Sequence, residues 1–188
     1  MVRAADMTRG NVNMTGQPLD IAVNGEALIG FQAPGGGEIY SRRGDLRVAT
    51  TGVLENGEGL PVLNQAGVPI TVPTGSQIRI AEDGTLLATD PEAPGGEPQV
   101  IDQIKLVSPE GSPLAKGIDS FLKVPGGGVL PNDPTARVTA GALEQSNVQT
   151  AATLVEMVEA QRAFEQRGRI LRVAEELDEA GARLLRMS

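Results

Sequence analysis

Between residues 15 and 124 the chain alternates short apolar runs with turn-forming pairs at close intervals. The run 19–31 carries Asn24-Gly25 at its centre, and the run 78–88 carries Asp83-Gly84. Both predict β-hairpins, because a type I′ turn needs positive φ at two successive residues and these dipeptides supply it at little steric cost. Asn56-Gly57 is a third such pair in a more polar setting. Further strands are expected at 38–49, 60–63, 69–72 and 99–107, where Val100, Ile104, Leu106 and Val107 provide most of the last segment's apolar mass. Several short strands with frequent turns point to a mainly β domain. The stretches 89–98 and 124–134 are rich in Pro and Gly and are expected as loops, since repeated Pro and Gly deny a regular hydrogen-bonding pattern.

The period changes near residue 150. From 149 to 187 there is no Pro, and apolar residues recur at Leu154, Met157, Ala160, Phe164, Leu171, Ala174, Leu177 and Leu184. Intervals of three, four or seven place them in one stripe along a helix. Ser146 and Gln149 have the spacing of a capping box. Glu156 and Glu159 complement the positive end of the helix dipole, and Arg183 and Arg186 the negative end. Glu165 with Arg169 and Glu179 with Arg183 are i,i+4 pairs in the favourable order. A helix of that length spans about 55–60 Å, beyond the diameter of the β domain. Gly168 and Gly181 each cost about 1 kcal/mol relative to Ala, so a partner helix is the natural cover for the stripe.

The expected fold is therefore a mainly β middle domain of short antiparallel strands and hairpins, followed by one long C-terminal α-helix of coiled-coil type. Its divisions are a poorly ordered N-terminal segment at 1–14, a β-rich domain at 15–124, a Pro/Gly-rich connector at 125–145 and an assembly helix at 146–188.

Composition narrows the chemistry. The 188 residues include no Cys, His or Trp, and only three Phe and one Tyr, so the core is aliphatic. A thiol nucleophile, a Ser-His-Asp triad, a structural zinc site and a disulfide framework are all excluded. Only a carboxylate site or an oxygen-ligand metal stays open. Sixteen cationic residues against 24 acidic ones, for a net charge of −8, point away from nucleic acid. No run approaches the roughly 18 apolar residues of a membrane span, and the first residues lack the apolar block of a signal peptide. The triple glycines at 35–37 and 126–128 are not followed by the Lys-Ser/Thr of a phosphate loop. Asp20, Asp45, Asp83 and Asp102 lie in the β region but form no nameable acid–base set. Asp83 opens a turn and Asp20 sits in an alternating strand, while Glu82-Asp83-Gly84 lacks the alternating acids of a calcium loop. No enzyme activity, cofactor or small-molecule substrate is expected.

Several segments carry a resemblance. Thr15-Gly-Gln-Pro-Leu-Asp-Ile-Ala-Val-Asn-Gly25, Tyr40-Ser-Arg-Arg-Gly-Asp-Leu46, Gly59-Leu-Pro-Val-Leu63, Val68-Pro-Ile-Thr-Val-Pro73 and Asp83-Gly-Thr85 resemble, in order, signatures of the bacterial flagellar rod and hook family. Gly141-Ala-Leu-Glu-Gln-Ser-Asn-Val148, followed by Glu156-Met-Val and Ala160-Gln-Arg-Ala-Phe-Glu165, is similar to that family's terminal helix motif. The matching positions include Thr15, Gly16, Leu19, Asp20, Tyr40, Arg42, Gly44, Gly141, Leu143, Glu144, Ser146, Asn147 and Val148. Segments 60–63 and 68–73 resemble proximal rod members more than distal rod or hook members. Two departures stand out: Glu26-Ala-Leu-Ile29 replaces the usual Gly and aromatic pair, and Leu46 stands at a usual Phe position.

The resemblance implies a β-rich domain carried on a coiled coil of N- and C-terminal helices. It also implies a structural subunit that polymerises with itself and other rod subunits into a drive shaft across the periplasm, after export through the flagellar apparatus without a cleaved signal. A distal rod or hook-type subunit, or an unrelated β-rich appendage subunit, is the alternative. The family's first helix is missing from the match, so the chain is expected to be truncated or its start misplaced. Leu154, Met157, Phe164, Leu171 and Leu177 are then the expected buried assembly contacts, with Arg162 and Glu165 fixing register at the edge. Without its partner, the helix is expected to fray or to pack against another copy.

Overall fold

The computed structural model describes residues 8–91, 96–117, 120–147, 154–155, 157–170 and 172, in two units, Met1–Asn147 and Val148–Ser188. In the first unit, β1 (Val12–Met14) pairs with β14 (Ala142–Glu144), and β2 (Ile21–Val23) pairs with β13 (Val138–Ala140). The largest sheet is antiparallel, ordered β10 (Leu106–Val107), β3 (Leu28–Gln32), β4 (Glu38–Ser41), β12 (Leu122–Lys123) and β11 (Ala115–Lys116). A hairpin joins β5 (Leu46–Val48) to β6 (Leu54–Asn56), and a three-stranded meander comprises β7 (Gln77–Ile80), β8 (Thr85–Thr89) and β9 (Gln99–Gln103). Patterning decides the faces: Ile78 and Ile80 of β7 point into the core while Gln77 and Arg79 face solvent, whereas β3 is buried along almost its whole length. Phe31 and Phe121 meet edge-on in the main core, with ring centroids 6.4 Å apart.

The turn at Asp83-Gly84 forms as a hairpin but not as type I′. Only Gly84 has positive φ (83°); Ala81 N–H donates to Thr85 O and Gly84 N–H to Ala81 O, both at 2.9 Å. This is a type I turn closed by a left-handed residue, and the Asp83 carboxylate completes it by accepting from the Thr85 amide and hydroxyl. The same pair of backbone bonds closes turns 33–37, 49–53, 56–60, 64–68 and 117–121. The fourth residue has positive φ in each, a glycine everywhere except Ser120. Asn24-Gly25 is instead a corner, because β2 leaves to pair with β13 and β3 with β4 and β10.

Segments 60–63 and 69–72 form isolated bridges rather than ladder strands. They satisfy their backbone through a three-way junction, in which Leu54 N–H donates to Ile70 O, Ile70 N–H to Val62 O and Val62 N–H to Leu54 O at 2.8–3.0 Å. The three side chains, spaced eight residues apart, are fully buried. A second junction links Gly30, Lys105 and Leu63 in the same cyclic manner. Lys105 lays its aliphatic stem over Gly30, where any Cβ would meet it at 3.3–3.4 Å, and its ammonium lies 2.8 Å from Glu38. Buried backbone groups need partners, and these junctions supply them where the strands are too short to do so.

The C-terminal expectation requires correction. The continuous described helix covers 157–170, fourteen residues or about 21 Å, and among the described residues there is no long coiled-coil helix. Its apolar side chains are exposed: Met157 is 60%, Phe164 79% and Ile170 68% accessible. Without tertiary burial of the stripe, helix stability reverts to propensity, which is marginal at this length and is weakened further by Gly168. No helix among the described residues is long and apolar enough to cross a membrane.

Candidate functional site

The point where the chain enters and leaves the β unit concentrates its polar side-chain contacts. Pairing of β1 with β14 brings residues 10–16 against 139–147. Thr15 and Gly16 amides donate to Gly141 O at 2.8 and 3.1 Å, and Gly141 N–H donates to Asp20 O at 2.7 Å. The Thr15 hydroxyl donates to the Asp20 carboxylate at 2.6 Å. Leu19 packs against the main core beside them. On the outgoing side, Asn147 Nδ2 donates to Thr8 O at 2.9 Å, and Gln145 N–H to Asn11 O at 2.8 Å.

Arg42, directly after β4, spans this junction with all three of its guanidinium nitrogens. Nε and Nη2 bond Glu144 Oε2 at 2.8 and 2.6 Å, Nη2 also bonds Val23 O at 2.9 Å, and Nη1 bonds Gly25 O and Ala27 O at 2.8 and 3.1 Å. The other Glu144 oxygen accepts the Gly10 amide at 2.9 Å. Thus one ion pair ties together β4, the 23–27 corner, β14 and the segment before β1. The planar guanidinium can do this because its donors form a fixed fork.

Gly44 closes the same region by steric necessity. Its carbonyl accepts from Ile21 N–H at 2.9 Å, and a Cβ on it would lie 1.8 Å from Ile21 O. Gly10 is equally constrained, with Gln145 O 1.7 Å from any Cβ. A groove of about 490 Å³ runs here, lined by Tyr40, Arg42, Gly44, Leu143, Glu144 and Asn147 among others, Ser146 included. Two signature segments distant in sequence, 40–46 and 141–147, therefore share one groove. Val148, Gln149, Leu171 and Leu177 lie outside the described residues, whereas Leu154, Met157, Arg162, Phe164 and Glu165 are exposed on the helical unit.

Beneath the groove, Tyr40 is fully buried. Its hydroxyl donates to Glu38 Oε2 and accepts from Leu130 N–H, each at 2.8 Å. Burial is the main cause that pushes this phenol up to about 12, with Glu38 adding to it against the Leu130 amide. The unfolded chain ionises first, so this contribution to stability is complete below pH 10.0 and is lost as pH rises to about 12. Tyr40→Phe is expected to remove that part of the alkaline decline while costing about 1–3 kcal/mol at neutral pH, because the Leu130 amide loses its acceptor. Urea midpoints measured across the alkaline range for both proteins test this, and superimposable declines would refute it.

The four Asp residues considered for chemistry occupy structural positions. Asp20 holds Thr15, and Asp83 closes its turn, whose Thr85 bonds keep its carboxyl below the usual range. Asp102 accepts from Asn64 Nδ2 at 2.9 Å. Burial raises the Asp45 carboxyl, but Arg43, bonded to both of its oxygens, outweighs this and holds it low. Among the described residues, no group of three or more acidic side chains could hold a metal. Sequence reasoning missed Gly10, Glu38 and Lys105. Lys105 was signalled, as the lone cation within the apolar run 99–107, but nothing local marks Gly10.

Short strands around three-way junctions, with the first and last segments of the β unit clasped at one edge, define a β-rich structural building block. Comparison with known proteins agrees: residues 22–88 match the flagellar hook protein FlgE/F/G D1 domain, and residues 139–184 match the flagellar basal body rod FlgEFG protein C-terminal family. The flagellar basal-body rod proteins FlgF of Salmonella typhimurium and Escherichia coli are each 36% identical over 190 residues, covering 98% of this chain and 75% of theirs. FlgG of Bacillus subtilis is 30% identical over 174 residues, covering 87% of this chain and 64% of its own. The chain belongs to the FlgE/F/G family of flagellar rod and hook proteins.

Proposed function

We propose that this chain is a structural subunit of the flagellar basal-body rod, of the proximal type, assembling with itself and with other rod subunits. The observation that carries this reading is the clasped junction, where two segments that resemble rod-protein signatures hold the first and last segments of the β unit together. Such a junction fixes the first and last segments of the β unit to each other, which a shaft under torque requires. The protein performs no catalysis in this role and takes no cofactor, nucleic acid or small-molecule substrate. It reaches the basal body through the flagellar export apparatus.

The contacts between subunits are placed on the helical unit, at Leu154, Met157, Phe164, Leu171 and Leu177, with Arg162 and Glu165 at their edge. Six large apolar side chains between 154 and 170 are 47–79% exposed, and such a patch favours burial against a partner. The double substitution Met157→Asp with Phe164→Asp should leave the urea midpoint of the purified protein within about 0.5 kcal/mol of the parent, because exposed positions contribute little to folding. In a strain lacking the parent gene it should abolish swimming in soft agar and recovery of the subunit in basal bodies. Normal swimming would refute the assignment.

A further inference from the structure

The chain contains the dipeptide Asn-Gly twice, in opposite environments. At the 23–27 corner Asn24 is exposed, and among the described residues its carboxamide oxygen accepts only the Thr139 hydroxyl at 3.2 Å. Gly25 has φ 73° and open space around the position of a Cβ, and among the described residues its amide has no hydrogen-bond partner. At the second copy Asn56 is fully buried, and its Oδ1 accepts the Glu58 and Leu60 amides at 3.0 Å each. Gly57 there lies against the Asp45 carboxylate, whose Oδ2 would be 2.2 Å from a Cβ on this glycine.

We infer that Asn24 is a site of spontaneous deamidation and that the reaction releases the Arg42 clasp. The Gly25 backbone nitrogen, having lost its proton to solvent base, attacks Asn24 Cγ. The N–Cγ bond forms, the Cγ–Nδ2 bond breaks and the side-chain nitrogen leaves as ammonia, taking up a proton. Water then opens the succinimide at either carbonyl, giving aspartate or isoaspartate without any redox change. Gly25 permits the approach because no side chain crowds its nitrogen, and exposure of Asn24 lets base, ammonia and water reach the site. At Asn56 the Asp45 carboxylate crowds the neighbouring glycine and two amides hold the carboxamide oxygen, away from solvent.

The product acts on the clasp directly. Isoaspartate routes the main chain through Cβ and adds a methylene between Val23 O and Gly25 O, which Arg42 holds at 2.9 and 2.8 Å. Either product also places a new carboxylate beside Glu26 and Asp133, which line the same small recess as Asn24. The site is thus a chemical clock on the Arg42 junction at the edge of the β unit.

The test incubates the purified full chain in mildly alkaline buffer and quantifies aspartate and isoaspartate at both positions by peptide mass spectrometry. Methyl transfer by an isoaspartyl methyltransferase gives an independent count. Conversion at Asn24 should run at least about tenfold faster than at Asn56 in the folded protein, because Asn56 reacts only through opened states. The two rates should converge in urea. The urea midpoint of the parent should fall in step with conversion, whereas Asn24→Gln should keep its midpoint over the same incubation. Equal rates at both positions in the folded protein, or reaction at Asn24 only in urea, would overturn the site. Conversion at Asn24 with an unchanged midpoint would overturn its link to Arg42.

Discussion

Arg42→Ala lowers the unfolding free energy by about 3–5 kcal/mol, the range found when one partner of a buried ion pair is removed. The side chains of Arg42 and Glu144 are only 15% and 8% exposed, so the stranded Glu144 charge gains little from water. Three carbonyls, those of Val23, Gly25 and Ala27, lose their donors at the same time. Arg42→Lys recovers little, since one ammonium cannot bridge a carboxylate and three carbonyls set around a planar fork. Glu144→Gln is milder, because an amide oxygen can still accept from Gly10 or Arg42. Urea denaturation of the full chain, followed by far-ultraviolet circular dichroism and by the fluorescence of the single tyrosine, Tyr40, measures all three. A loss below about 1 kcal/mol for Arg42→Ala would put the pair among ordinary surface salt bridges and refute the clasp.

Gly44→Ala is expected to cost about 3 kcal/mol, at the upper end of overpacking penalties. The added methyl would sit 1.8 Å from Ile21 O and 2.8 Å from Ile21 Cγ1. The nearest obstacle is a backbone oxygen, which cannot rotate aside as a side chain can. Relief requires β2 to move away, breaking the Ile21 N–H to Gly44 O bond at the edge of the core. Gly35→Ala is the matched control: nothing lies within 4 Å of its Cβ position and its φ is not positive, so its effect should be near zero or slightly stabilising. Equal midpoints for the two variants would show that the close approach at Gly44 carries no energetic weight.

Much of the β unit was legible because its signals are local. The β7–β8 hairpin follows from Asp83-Gly84 between apolar runs, even though the turn reaches its geometry with one left-handed residue instead of two. Asn24-Gly25 misled for a physical reason: a dipeptide specifies a reversal of direction, while the partner of each flanking strand is chosen elsewhere, here by β13 and by β4 with β10. Segments 60–63 and 69–72 have strand-like composition, yet their amides go to the junction of Leu54, Val62 and Ile70. The long coiled-coil helix is not found among the described residues, for the complementary reason. Its stripe is present in the residues, but a stripe becomes a stable long helix only when something covers it, and periodicity does not supply the cover.

The same division holds at the clasp. Tyr40, Arg42, Gly44 and Glu144 were singled out by likeness to a family, and composition alone excluded thiol, imidazole and zinc chemistry. Neither said that Arg42 meets Glu144, 102 residues away in sequence, or that Gly10 and Gly44 are glycines because a carbonyl sits where a Cβ would be. The sequence by itself determined a mainly β unit with an aliphatic core, the positions of its turns, and membership of a rod-type family through ordered motifs. The tertiary structure alone decided which strands pair, which glycines are sterically obligatory, and how the first and last segments of the β unit are locked to one edge. Turn and pattern signals act over a few neighbouring residues, whereas these decisions rest on contacts between segments that only the folded chain brings within hydrogen-bonding distance.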